Sequence, residues 1–189
     1  ILQWLGGIGI IVVAMVFLPE LRVGGMQIFK SEGFDTFGKI LPRATEIAAQ
    51  VAWLYVGLTG ACAVIYIATG MRSFDAVLHA MTTIATGGFS TYDSSFVKFG
   101  ASTEYAAVVF MCLAALPFVR YVQLINGAPG SLFQDSQVRV FFIVLLVTVV
   151  FLTLVLWQGY QFSGELGFRK ALFNVVSITT GTGYASADY

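Results

Sequence analysis

Four long apolar runs alternate with shorter polar stretches along the chain: 1–18, 47–68, 105–125 and 138–157. At 1.5 Å per residue each reaches roughly 27–33 Å, and a bilayer hydrocarbon core is about 30 Å thick. Each run therefore predicts a membrane-crossing helix. Pro19 closes the first run and Thr69-Gly70 the second. Residues 19–46 form a polar connection holding Arg22, Lys30, Lys39 and Arg43, and 126–137 (NGAPGSLFQDSQ) is a turn-rich linker. Pro117 in the third run predicts a kink that frees a backbone carbonyl.

Two stretches fit neither pattern. Residues 74–91 read FDAVLHAMTTIATGGFST and 168–185 read FRKALFNVVSITTGTGYA. Laid over each other without a gap, they match at Phe74/Phe168, Leu78/Leu172, Ile84/Ile178, Thr86/Thr180 and Gly87/Gly181. A self-match of this kind constrains architecture more than any single motif. Between Arg72 and Ala85 there are only about a dozen residues, some polar, too few to cross a bilayer but enough for a half-helix that enters and turns back.

The order spanning helix, half-helix, glycine loop, spanning helix therefore recurs. Residues 1–18 are read as the last helix of a preceding repeat and 19–46 as a cytoplasmic connection. A complete repeat follows at 47–125, then a cytoplasmic linker at 126–137. Residues 138–189 are the front of the next repeat: first helix, pore helix and filter. The chain opens inside an apolar run and stops just past the second loop, so it is expected to be an internal stretch of a longer protein. The 19–46 and 126–137 connections share one face, and a modest Lys and Arg excess there (Arg22, Lys30, Lys39 and Arg43, with Arg120 and Arg139 at the helix ends) marks it as cytoplasmic, which turns both loops outward.

Composition sharpens the class. Hydrophobic residues make up 58% and charged residues 11%, with a mean hydropathy of +0.84, whereas soluble domains carry about 25% charge. The formal net charge is zero, so no basic footprint for nucleic acid is expected. Cys62 and Cys112 lie in apolar runs without CxxC or metal-ligand spacing. A single His, no Walker loop and no HExxH leave no enzymatic chemistry in view. The expectation is an all-α membrane protein built from tandem helix–pore loop–helix repeats of potassium-channel type, and not an enzyme.

The loops carry the candidate chemistry. An ion crossing a bilayer must exchange its water shell for other oxygens, and successive backbone carbonyls supply them in a potassium filter. Turning carbonyls inward demands backbone angles that glycine adopts at low cost. Irregular backbone at membrane depth is tolerated only where it is buried in protein or lines an aqueous cavity. A half-helix with its partially negative C-terminus toward the pore also favours a cation. Ala85, Thr86, Gly87, Gly88 and Phe89 meet these needs in the first loop. Thr179, Thr180, Gly181, Thr182 and Gly183, followed by Tyr184, meet them in the second. One such loop alone reads equally as a membrane turn; two behind spanning helices read as a filter. Asp93 and Asp188 follow the loops as candidate mouth carboxylates or as solvated loop acids.

QWLGGIGIIVVAM at 3–15, GGMQIF at 24–29 and the two loop units together resemble the TrkH/KtrB/HKT superfamily of potassium transporters, its TrkH branch above all. The resemblance covers essentially the whole chain. It implies four tandem repeats around a central pore with pseudo-fourfold symmetry, of which this chain holds the end of the first, all of the second and the front of the third. It places family filter positions on 85–89 and 179–184. It implies K⁺ as the transported ion with no organic cofactor, a multi-pass protein of the bacterial inner membrane, a homodimer, and a cytoplasmic TrkA-type nucleotide-binding ring as regulator. Channel-like flow and coupled symport both stay open, as does K⁺ against K⁺ plus Na⁺ selectivity.

Other residues have plainer readings beside functional ones. Gly6, Gly7 and Gly9 predict close helix packing. His79, on the first half-helix, is either a packed histidine or a protonatable pore sensor. Arg120 either snorkels to the interface or contacts the gating apparatus or a lipid phosphate. Two further functions compete: a secondary transporter of another solute with broken helices, and a non-conducting structural membrane segment.

Overall fold

The computed structural model describes residues 1–9, 44–127, 130–158 and 164–187. The predicted helix over 10–18, the connection at 19–43 with its four cations, the GGMQIF segment and Asp188 lie outside the described residues. All regular structure among the described residues is helical. Residues 2–9 are helical (α1), and the other described helices are α2 (Ala44–Ala68), α3 (Ser73–Ile84), α4 (Ala101–Ala115), α5 (Phe118–Ile125), α6 (Gly130–Phe133), α7 (Ser136–Gln158) and α8 (Gly164–Thr179).

Two of these helices are long and apolar enough to cross a membrane, Glu46–Ala68 and Ser136–Gln158. Both are hydrophobic all round and leave Trp53, Ile65, Ile143, Leu146 and Phe151 exposed, as a lipid-facing surface requires. The boundaries differ from the sequence reading by only a few residues at each end. α3, with 12 residues, spans about 18 Å and cannot cross. It packs on α2 and α4, so the half-helix folds back into its own repeat. α8 packs in turn on α7 and on α4, which joins the two repeats.

The third apolar run is not one kinked helix. α4 and α5 meet at 86°. Leu116 (φ −78, ψ 148) and Pro117 (φ −60, ψ 117) are both extended, because a proline ring drives the residue before it out of the helical region. The helix therefore stops at Ala115 and restarts in a new direction. Arg120, on α5, is held by polar partners: its guanidinium pairs with Asp135 at 2.8 Å and donates to Gln123 Oε1 at 3.0 Å. Burial pushes the Asp135 carboxyl up, but the Gln137 N–H and the Arg120 charge outweigh it, and the net shift is below the usual carboxylate value.

Of the three glycines of α1, Gly7 is the one in close packing. A Cβ there would lie 2.9 Å from the Tyr55 hydroxyl and 3.5 Å from Ala85 Cβ, whereas Gly6 and Gly9 have nothing within 4 Å among the described residues. Trp4 donates to Thr59 Oγ1 at 3.0 Å, and Tyr55 donates to the Trp4 carbonyl at 3.0 Å. These contacts lay α1 against α2 and the start of the first loop.

Candidate functional site

Each half-helix ends directly in its loop. α3 ends at Ile84 and α8 at Thr179, two residues 95 positions apart. The same offset relates the hydrogen bonds that cap the helices. Ala85 N–H donates to Met81 O and Thr86 N–H to Thr83 O; Thr180 N–H donates to Val176 O and Gly181 N–H to Ile178 O. It also relates the left-handed residues: Thr86 (φ 49) and Gly88 (φ 66) correspond to Gly181 (φ 75) and Gly183 (φ 87). The gapless match of the sequences is thus one residue out of register. The structural partner of Thr86 is Gly181, that of Gly88 is Gly183, and Phe89 pairs with Tyr184.

Corresponding hydroxyls hold the far end of each loop. Thr82 Oγ1 donates to Phe89 O at 2.9 Å, and Ser177 Oγ donates to Tyr184 O at 2.8 Å. Loop N–H groups point back into the half-helices, as Gly87 N–H to Thr82 O (2.7 Å) and Gly183 N–H to Ser177 O (3.1 Å). Among the described residues, no hydrogen bond reaches the carbonyls of Thr86, Gly87 and Gly88, or those of Gly181, Thr182 and Gly183. Backbone acceptors left over in this way are suited to a partner that is not part of the loop.

The two loops touch. A Cβ on Gly88 would lie 2.1 Å from the Thr182 carbonyl oxygen and 3.0 Å from the carbonyl carbons of Thr182 and Gly183. Only a residue without a side chain permits this approach, and the positive φ of Gly88 demands glycine a second time. Gly87 is glycine for a different reason. Its φ is not positive, but a Cβ there would fall 1.9–2.0 Å from the carboxamide atoms of Gln3 on α1. Thr86 holds a left-handed conformation that costs a non-glycine residue about 1–2 kcal/mol.

The aromatics behind the loops part company. Tyr184 is buried: its hydroxyl donates to His79 O at 3.1 Å, lies 3.3 Å from Thr83 Oγ1 and sits against Thr82 Oγ1. Its ring packs on Phe96, centroids 4.5 Å apart. Phe89, its counterpart, is 69% exposed. His79 is fully buried with both nitrogens engaged. Nδ1 lies 2.7 Å from Asp75 O, which can only accept, so Nδ1 carries the proton and Nε2 accepts from the Ser90 hydroxyl at 2.9 Å. Edge contacts with Phe96 and Phe99 complete a packed histidine.

Charged groups brace the loop exits at equivalent positions. Asp75 accepts from Thr91 Oγ1 and the Tyr92 hydroxyl, each at 2.8 Å, and pairs with Arg72 at 3.1 Å. Lys170, 95 positions on, pairs with Glu104 at 2.7 Å and donates to Ser186 O. Arg169 makes a second 2.7 Å pair with Glu104, whose side chain is 1% exposed. Sequence reading missed the Glu104 cluster and Gln3, because Glu104 meets Arg169 and Lys170, and Gln3 meets Gly87, only across long separations in the chain. Asp93 is exposed beyond the first loop. No group of three or more His, Cys, Asp or Glu that could hold a metal ion occurs among the described residues.

The chain matches, over residues 1–189, the model of the family described as TrkH, cation transport protein. It is 42% identical to a Trk system potassium uptake protein TrkI of Halomonas elongata, over all of this chain and 39% of that protein. It is 38% identical to the Trk system potassium uptake protein TrkH of Escherichia coli, over 98% of this chain and 39% of that one. The crystal structure of the potassium transporter TrkH from Vibrio parahaemolyticus superposes with a TM-score of 0.80 at 34% identity, covering 98% of this chain and 38% of that one. The chain thus spans about two fifths of the length of the relatives it matches.

Proposed function

Because the chain belongs to the TrkH family of cation transport proteins, we propose that it supplies two adjacent carbonyl-lined loops of a potassium filter, and that the full-length polypeptide takes up K⁺ across the bacterial membrane. The observation that carries the reading is the contact of Gly88 with the Thr182–Gly183 backbone. Loops from successive repeats stand side by side there, with carbonyls at 86–88 and 181–183 that no hydrogen bond among the described residues occupies. A dehydrated K⁺ needs a cage of such oxygens, each dipole standing in for a lost water. The half-helix C-termini add a partial negative charge on the same side. Two further loops from the rest of the polypeptide would close the ring. Ala85 and Thr86 to Phe89 on one side, and Thr179 to Gly183 on the other, are the residues we assign to it. A homodimer and a cytoplasmic TrkA-type ring are the partners that the family resemblance implies for the same reading.

Uptake of Rb⁺ by the full-length protein, in cells lacking other potassium uptake systems, tests the proposal. Gly88→Ala and Gly183→Ala are expected to lower Rb⁺ uptake relative to Na⁺ uptake while the protein reaches the membrane at wild-type levels. Unaltered uptake and selectivity in both variants would overturn it.

A further inference from the structure

Gln3 is the one residue with a buried side-chain polar atom that lacks a hydrogen-bond partner among the described residues, the atom being its Oε1. The carboxamide occupies the space a side chain at position 87 would need, since its Oε1, Cδ and Nε2 would all lie 1.9–2.0 Å from a Cβ on Gly87. Gln3 reaches this place from α1, whose other contacts pin it there. Trp4, the next residue, is tied to Thr59 and Tyr55, and Gly7, one turn on, packs on Ala85 at the head of the same loop. A long polar side chain is thus carried into the first loop by a helix anchored on both sides of it. Burying an amide oxygen unpaired costs free energy, so a plain packing role would be better served by Leu or Met of similar length.

We propose that Gln3 is a positioning residue for the first loop, and that Gly87 is glycine in order to admit its carboxamide. This rests on the reading of the loops as a filter and names what holds one of them in register. The two glycines of the loop then do different jobs. Gly88 serves its own backbone and the neighbouring loop, both of which are rigid. Gly87 serves the end of a flexible side chain, which can swing aside. An Ala at 87 therefore folds but expels the carboxamide, and becomes functionally equivalent to losing Gln3. A group that sets the loop's position acts on ion discrimination, because carbonyl placement decides which ion matches its hydration shell.

The test is a double-mutant cycle on the full-length protein, with Rb⁺/Na⁺ uptake ratio as the readout and membrane abundance as control. Gln3→Ala and Gly87→Ala should each lower the ratio several-fold at near-wild-type abundance. The double variant should be no worse than either single variant. Gln3→Leu, which keeps the bulk without the amide, should lower the ratio as Gln3→Ala does. Effects that multiply in the double variant, or a wild-type ratio in Gln3→Leu, would overturn the proposal. Gly88→Ala is the reference: if it alters the ratio while the Gln3 variants do not, the filter reading stands and only the role of Gln3 falls.

Discussion

The hydroxyl of Tyr184, which closes the second loop, donates to the carbonyl of His79 in the first half-helix, 105 residues earlier in the chain, at 3.1 Å. The same oxygen meets the hydroxyls of Thr82 and Thr83, so one aromatic from the later repeat is keyed into the helix that positions the earlier loop. Thr83 is bonded in turn to the Tyr66 hydroxyl at 2.9 Å, which extends the chain of hydroxyls into α2. Tyr184→Phe keeps the ring and removes the key. Leaving buried polar partners unsatisfied costs about 1–3 kcal/mol. Thermal unfolding of the purified full-length protein should therefore show a lower midpoint for this variant, and an unchanged midpoint would count against the key.

The two left-handed glycines predict a graded pair. Gly183→Ala meets no neighbour among the described residues and pays for its φ of 87°, about 1–2 kcal/mol. Gly88→Ala pays for its φ of 66° and also drives a methyl into the Thr182 carbonyl, so it should be the more damaging of the two. Melting temperatures of the two variants measured side by side check the order. Equal losses would mean the loops do not abut.

Glu104 predicts a large effect far from either loop tip. Its carboxylate is shared by Arg169 and Lys170, and removing one partner of such a cluster leaves charge buried without compensation. Glu104→Ala should destabilise by about 3 kcal/mol. Lys170 also holds the Ser186 carbonyl beyond the second loop, so the variant should lower Rb⁺/Na⁺ discrimination as well. Measuring both midpoint and uptake ratio separates the two consequences, and a variant normal in both would remove the cluster from the account.

How much of this was legible in the sequence depended on range. The spanning helices at 47–68 and 138–157 and the half-helices were readable, because periodicity and length are local properties. The register of the two loops was misread by one residue. Phe74/Phe168 and the Thr-Gly pairs favour one offset, and TGTGY offers two glycines to choose between. The aromatics Phe89 and Tyr184 carried the right signal. The break at Leu116–Pro117 was foreshadowed by proline but judged a kink, since composition does not say whether the helix resumes its direction. Gln3, Glu104 and the Tyr184 key depend on which distant segments meet, and no spacing in the chain encodes that.

The Arg120–Asp135 pair predicts a pH dependence. The folded carboxyl titrates below its ordinary value of 3.8, so the unfolded chain takes up the proton first. The pair's contribution is fully present above that value and is lost as pH falls through the lower folded pKa. Asp135→Asn should thus lower the melting temperature at pH 7, and the gap to wild type should close as the pH falls below 3.8. A gap that persists in acid would show that something other than the ion pair is responsible.

The most direct measurement is the position of Rb⁺ itself, found by anomalous scattering from crystals of the full-length protein grown in Rb⁺. Density is expected within coordination distance of carbonyls from both 86–88 and 181–183, and its loss in crystals of Gly88→Ala. Rb⁺ bound elsewhere along the membrane axis, with neither set of carbonyls facing it, would contradict it.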